Sequence, residues 1–457
     1  MDDRRLRSAA LLVTLLPVAM LLVGCGRAGV APATPAPDVV IVLVDALRAD
    51  RIGAAGYPAP ITPNVDRLAE QGVLFAEAYS QATWTKPAMA TLFTSLYPTE
   101  HGLVRLGAAD PTGAFVTDRL PRSTTTLAER FRQGGYQTMA VVNQVHLQKK
   151  LGFAQGFDRF EWRRGKTAPE LNEIFREMLD QRDDRPLFAW IHYLDVHWPY
   201  TNRLPNDQAP DLGPTDIENE PPQGLQWVAD WQREHMDEAT RSALEARYDH
   251  EVAFVDAAIG ELVGMLQAGG RWRDTIVVVT ADHGESFGAH GELMHGHLPY
   301  EEELRVPLVL RLPDRSGRPT GRRTTPVGLI DVAPTLLDLA GIGIEPPPMR
   351  GHSLVPVIDG VEEPDRPVFA QTGGGWSIRR GRLKLMALEN GSYRLFDLET
   401  DPGEEHDLAA AGCDARCEAL ASLLRAFRAS LQEAPGESDL GTFGEEDLEE
   451  LRALGYL

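Results

Sequence analysis

With 457 residues, the chain has the length for one large core and a second, smaller one. Its formal charge of −22 leaves no basic stripe to neutralise phosphates, which excludes nucleic acid as the main partner. Hydrophobic residues at 43% and charged residues at 25% exclude a disordered chain and mark an ordinary globular protein.

Residues 1–25 read as an export signal. Arg4, Arg5 and Arg7 precede an apolar stretch, Ala9 to Val23, that is too short for a comfortable membrane span. It closes on Leu22-Val23-Gly24-Cys25, which resembles the lipobox of bacterial lipoproteins and implies lipidation of Cys25. An ordinary cleaved signal and an uncleaved anchor are the alternatives. Residues 26–37 form a Pro/Ala tether. The expected location is therefore the bacterial cell envelope, exported and lipid-anchored to the membrane.

Asp38 to Val44 is a β-branched run of the kind that sits in a parallel sheet covered on both faces, and Asp45 stands at its carboxyl end. Pro63 to Gln71 reads as a helix and Gly72 to Phe75 as a short strand. The spacing predicts a second helix from Thr85, with Thr85 as its N-cap and Pro87 in the first turn. Further along, Thr124 to Gln133 and Asp237 to Gln267 read as helices, and Tyr136 to Val142, Pro186 to Leu194, Thr275 to Thr280 and Val306 to Arg311 as strands. Residues 201–225 read as a loop or lid, and Asp331 to Ala340 as a helix stopped by Gly341.

This alternation predicts a doubly wound α/β fold. From about residue 365 the pattern changes to short strands at Val368 to Ala370, Trp376 to Arg379, Leu383 to Met386 and Tyr393 to Asp397, with a closing helix from Cys413 to Gln432. The predicted organisation is a catalytic domain over 38–364, a small C-terminal antiparallel α+β domain over 365–432 and an acidic tail over 433–457. That tail carries an amphipathic turn or two at Leu448 to Leu454. Cys413 and Cys417 are expected to form a local disulfide in an exported protein.

Two strands end in carboxylates, Asp45 and Asp282, and His283 follows the second. Hard oxygen ligands with one imidazole suit Ca²⁺, Mg²⁺ or Mn²⁺ and accept Zn²⁺. The helix beginning at Thr85 offers a hydroxyl where free backbone N–H groups favour anions, so a nearby metal would make it a nucleophile. His197, His290, His295 and His297 fall in two loops that follow strands. Each taken singly also fits a surface or capping histidine.

Taken together, these stretches resemble the sulfatase family of the alkaline phosphatase superfamily. The resemblance runs from about 38 to 410. It is carried by Val44 to Asp50, Thr62 to Ala69, the Thr85 segment, Gly134 to Thr138, Gly156 to Asp158 and Asp195-x-His197-x-Pro199-Tyr200. Thr280 to Glu285, Arg305 to Leu308, Ile330 to Ala340 and Phe396 to Glu404 extend it.

The resemblance implies an alkaline phosphatase-like fold, a large mixed sheet flanked by helices, and one divalent metal held by Asp45, Thr85, Asp282 and His283. It implies Thr85 as nucleophile, with His197 and His295 or His297 on the substrate's charged oxygens. Asn143, His146 and Lys86 are candidate substrate contacts. Glu285 and Asp256 read as structural.

Departures from the family pattern bear on the chemistry. Genuine sulfatases convert a Cys or Ser in Cys-x-Pro-x-Arg to formylglycine, whereas this chain has Thr85-Lys86-Pro87-Ala88-Met89. The second Asp of the usual pair is Ala46, and the family's Lys residues are missing. The expectation is a metal-dependent hydrolase of phospho(di)esters or sulfate esters on a small molecule or glycan. A phosphoethanolamine- or phosphoglycerol-type transferase and an inactive anionic-glycan-binding module are the alternatives.

Overall fold

The run of β-branched residues after the tether becomes the middle of the molecule. The computed structural model describes residues 36–201, 203, 212–217, 231–232, 234–344, 346–347, 349–434 and 440–457. The expected export signal with Cys25, the expected tether up to residue 35 and most of the expected 201–225 loop lie outside the described residues. Strand β1, Asp38–Val44, is buried at every position.

The strands that follow are β2 Val73–Phe75, β3 Ala78–Tyr79, β4 Ala108–Ala109, β5 Phe115–Asp118, β6 Gln137–Val142, β7 Arg159–Trp162, β8 Leu187–Tyr193, β9 Thr275–Ala281, β10 Leu308–Arg311, β11 Gly321–Arg323, β12 Val327–Gly328, β13 Val368–Thr372, β14 Gly375–Arg380, β15 Leu383–Leu388, β16 Tyr393–Asp397 and β17 Leu440–Phe443. Eight of them form one sheet in the order β11-β2-β10-β9-β1-β8-β6-β7. β10 runs antiparallel to both of its neighbours, and the other pairings are parallel. β1, β6, β8 and β9 therefore deliver their carboxyl ends to the same edge, where open α/β sheets place their sites.

The helices pack in two groups. Pro63–Glu70 and Ala168–Leu179 both lie against the long helix Glu238–Ala268. Thr85–Thr94 lies against Leu127–Gln133 and Val332–Leu339. All ten residues of Thr85–Thr94 are buried, as expected of a helix without a polar face. β13 to β16 form a separate antiparallel sheet with its own small core, closed by the helix Ala415–Ser430. Asp414 caps that helix, and Cys413 is disulfide-bonded to Cys417 at a Cα–Cα distance of 5.2 Å.

Three expectations change. Trp84, extended at φ −154°, is the N-cap, and Thr85 is the first helical residue. Its hydroxyl is consequently not spent on a cap bond. The helix expected from Thr124 starts at Leu127, because the Thr126 hydroxyl accepts from the Glu129 amide and sets the boundary there.

The acidic tail is also no tail in its last eighteen residues. β17 pairs with β5, and Glu445–Ala453 is a helix whose Leu451 is fully buried. Asp447 holds it down through Gln148 at 2.9 Å, Arg164 at 2.8 Å and Lys150.

Candidate active site

Asp45 follows β1 directly, and its amide donates to Tyr193 O at the end of β8. Ala46 then turns at φ +57°. Its amide donates to Asp282 Oδ1 at 3.2 Å, and its carbonyl accepts from the Tyr248 hydroxyl at 2.7 Å. That turn locks the two strand-end carboxylates together. Within β8, His192 lies beside Leu43 of β1. Gln144 follows β6 by two residues, and Thr85 enters from the start of its helix.

The Thr85 hydroxyl is fully buried among these groups. Its Oγ1 lies 3.4 Å from Asp45 Oδ2, 3.4 Å from His283 Nε2, 3.5 Å from Gln144 Nε2 and 3.3 Å from the Tyr456 hydroxyl. Gln144 Nε2 also donates to Asp45 Oδ2 at 3.0 Å. Asp45 Oδ1, Asp282 Oδ2 and both ring nitrogens of His192 are buried without a hydrogen-bond partner among the described residues.

The His283 ring sets the sign of the missing partner. Its Nδ1–H donates to Gly284 O at 2.8 Å, so in the neutral ring Nε2 presents a lone pair. That lone pair lies 3.6 Å from Asp45 Oδ1 and 3.5 Å from Asp282 Oδ2. Three acceptors facing one another in a water-excluded space call for a cation. Asp45, His192 and Asp282 offer ligand atoms within 4.8 Å of one another. Burial, and after it the Asp282 charge, push the Asp45 carboxyl well above its ordinary pKa. Oxygen donors with imidazole fit a divalent ion.

Around this centre the predicted residues divide. His197 belongs to it: Nδ1–H donates to Trp198 O at 2.6 Å, and Nε2 accepts from the Tyr456 hydroxyl at 3.1 Å. Burial, and then neighbouring His295, bring its pKa down to about 3. It is therefore neutral, with a lone pair facing inward, and is not a cationic clamp on substrate oxygens.

His295 also belongs, with Nε2 3.4 Å from the Tyr456 hydroxyl and Nδ1 3.4 Å from Glu285 Oε2. Glu285, expected to be merely structural, thus stands behind His295. Asp256 accepts the Asn64 and Val65 amides at the first turn of the Pro63–Glu70 helix.

The remaining candidates sit elsewhere. His297 is at the mouth, between Glu303 and Glu292, and has no contact with Thr85. Asn143 uses its amide on Lys166 O. His146 packs its ring against Trp84 and Tyr456, and neither nitrogen has a hydrogen-bond partner among the described residues. Lys86 turns to Arg105 O and, on β5, to Asp118 O and the Thr117 hydroxyl, so its three donors are taken there. As a substrate contact Lys86 is corrected: residue 86 follows Thr85 on a helix, one residue around from it, and faces away. His290 stacks on Tyr300 outside the centre.

The sequence reading missed three residues of the centre. His192 is hidden inside the apolar run Leu187–Tyr193, Gln144 carries no motif, and Tyr456 is 371 residues from Thr85. A histidine in an otherwise apolar buried strand was the one available signal.

Residues 37–342 match the family model Sulfatase, and residues 288–429 match N-sulphoglucosamine sulphohydrolase, C-terminal. The chain belongs to the sulfatase family. It has the alkaline phosphatase-like fold and is a hydrolase of ester bonds. A Delta 4,5-hexuronate-2-O-sulfatase of Bacteroides thetaiotaomicron is 27% identical over 432 residues, covering 84% of this chain and 86% of the relative. A choline-sulfatase of Rhizobium meliloti is 25% identical, covering 82% and 83%. The phosphonate monoester hydrolase of Agrobacterium radiobacter superposes with a TM-score of 0.69 at 23% identity, covering 86% and 95%. Members of this family are metal-dependent, and the Asp45, His192 and Asp282 cluster is the candidate metal site here.

Proposed function

We propose that this sulfatase-family protein is a divalent-metal-dependent phosphoester hydrolase with Thr85 as its nucleophile. The observation that carries the reading is the Thr85 hydroxyl itself, uncapped and set among Asp45, Gln144 and His283 at 3.4 to 3.5 Å. Asp45, Asp282, His283 and His192 would hold the metal, which when bound lowers the hydroxyl's pKa and offsets developing negative charge.

The chain's own residues supply the rest. The first turn of the Thr85–Thr94 helix presents backbone N–H groups toward an anion. Gln144 holds Asp45 and Thr85 in register. Attack by Thr85 Oγ1 on phosphorus expels an alcohol and leaves a Thr ester, which water then cleaves at phosphorus. His197, neutral and with its Nε2 lone pair inward, is placed to accept a hydrogen bond from that water and orient it, while the water's proton passes to the departing Thr85 Oγ1.

A threonine has no aldehyde hydrate whose collapse could release sulfate. The Thr ester must be cleaved at its central atom, a routine step for phosphorus and a slow one for sulfur. The export signal and the Cys413–Cys417 disulfide support an oxidising, extracytoplasmic location with Cys25 as the lipid anchor.

The test compares kcat/KM for matched nitrophenyl phosphodiester, phosphomonoester and sulfate esters on metal-loaded protein. The phosphoesters should lead the sulfate ester, Thr85→Ala should lose several orders of magnitude, and Thr85→Ser should stay partly active. A preference for sulfate with Thr85→Ala still active would overturn both the substrate class and the nucleophile.

A further inference from the structure

The Tyr456 ring fills the space over the nucleophile. Its hydroxyl lies 3.3 Å from Thr85 Oγ1, 3.1 Å from His197 Nε2 and 3.4 Å from His295 Nε2. A reacting phosphorus must come to roughly 3–3.5 Å from the attacking oxygen, with its own oxygens extending beyond. The phenol oxygen already stands at that distance, so ring and substrate exclude each other.

A cavity of about 230 Å³ opens between Trp84, Leu106, Met294 and His297. It ends on Tyr456, and Thr85 is not among its walls. Thr85 itself is wholly without solvent contact.

The segment that carries the ring is built to hold it there. Gly455 turns at φ +80°, and the Tyr456 amide closes that turn on Leu451 O at 2.8 Å. The turn throws the side chain inward from the Glu445–Ala453 helix. A Cβ on Gly455 would come within 2.2 Å of Met294 Cε, so the approach is close. The segment is held by the β17–β5 pairing, by buried Phe443, Leu451 and Leu454, and by ion pairs: Arg164 meets Asp447 at 2.8 Å and Glu450 at 3.4 Å, and Lys150 meets Asp447. The Arg164 and Lys150 ends of those pairs are partly exposed and so open to screening by salt. Eighteen residues with three apolar anchors besides the ring make a contact small enough to seat and unseat.

We infer that the segment Leu440–Leu457 is an intrasteric gate, with the Tyr456 phenol standing in the place of the substrate's reacting group. The inference rests on Thr85 as the nucleophile. Substrate enters when the Glu445–Ala453 helix lifts and withdraws the ring, so apparent affinity is the intrinsic affinity reduced by the open fraction.

The test uses full-length, metal-loaded protein, with inorganic phosphate binding followed by calorimetry and phosphodiester turnover measured alongside. Tyr456→Ala should tighten phosphate binding by about tenfold or more and lower KM to match. Tyr456→Phe keeps the bulk and loses only the hydroxyl contacts, so it should move affinity much less. Asp447→Asn, remote from the chemistry, should tighten phosphate in the same direction as Tyr456→Ala and leave kcat unchanged.

Unchanged phosphate affinity in folded Tyr456→Ala and in Asp447→Asn would overturn the gate. So would a large fall in kcat in both Tyr456 variants at constant affinity, which would make the phenol a participant in the chemistry. Turnover persisting in Thr85→Ala/Tyr456→Ala, with phosphate binding still tightened, would instead refute the nucleophile and leave the gate standing.

Discussion

Replacing Asp45 by Asn should stabilise the metal-free protein while destroying its metal site. Asp45 and Asp282 are both fully buried, and their ligand oxygens lie within 4.8 Å. At an effective dielectric of about 20, two unit charges at that distance repel by about 3.5 kcal/mol. A chain of this size has an unfolding entropy that makes this worth about 4 °C in Tm.

The sign follows from the proton balance. Burial and Asp282 raise the folded-state pKa of Asp45, so above the unfolded carboxylate pKa the folded state binds the extra proton. Stability of the metal-free protein therefore falls as pH rises from the ordinary carboxylate range through the raised pKa. Asp45→Asn removes the titrating group, so the slope should flatten and Tm at pH 8 should rise. Divalent metal should reverse the ranking: the wild type gains stability by mass action, by about 4 kcal/mol at a thousandfold excess over Kd, and the variant gains little.

The assay is scanning calorimetry of chelator-treated and metal-loaded proteins between pH 5 and 8, with metal content measured alongside. A metal-free wild type at least as stable as Asp45→Asn throughout, with no difference in slope, would mean that the two carboxylates do not repel across this site.

Asp282→Ala should empty the metal site by elemental analysis, whereas Asp256→Ala should keep full metal content and lose about 1–3 kcal/mol of stability for each of the two amides it orphans. Gln144→Leu should weaken metal binding by about 10- to 100-fold in a titration, since it strips the hydrogen bond that orients Asp45. Burial brings the Lys86 pKa down to about 7 against an ordinary 10.5, so stability should rise with pH between those values; Lys86→Met should abolish that rise in denaturant melts. Alkylation of unfolded, unreduced protein should find neither Cys413 nor Cys417 free. Reduction of that short loop should cost about 2 kcal/mol.

The centre of the sheet was readable without a structure because its strands are runs of Val and Ile buried on both faces, a pattern that local residues impose by themselves. The same runs end in Asp45 and Asp282, so the two carboxylates and His283 could be placed at a sheet edge from position alone. Thr85 was legible as a helix start, though its capping role passed to Trp84 when the extended backbone fell one residue earlier.

Lys86 and Asn143 illustrate the opposite case. Proximity in sequence to a site residue says nothing about where a long side chain finds its acceptors, and both found carbonyls in adjoining loops.

The layer order, the strand-end acids and the helix start at Thr85 are therefore legible in the sequence, because the physical cause of each is local. His192 entered the centre through the register of β8 against β1, and Gln144 through the adjacency of β6 and β8. Tyr456 arrived through a helix held by buried Leu451 and by ion pairs to Lys150 and Arg164, about three hundred residues away along the chain. Register, strand adjacency and long-range contacts depend on which surfaces meet once the chain has folded, and no local stretch of residues encodes that.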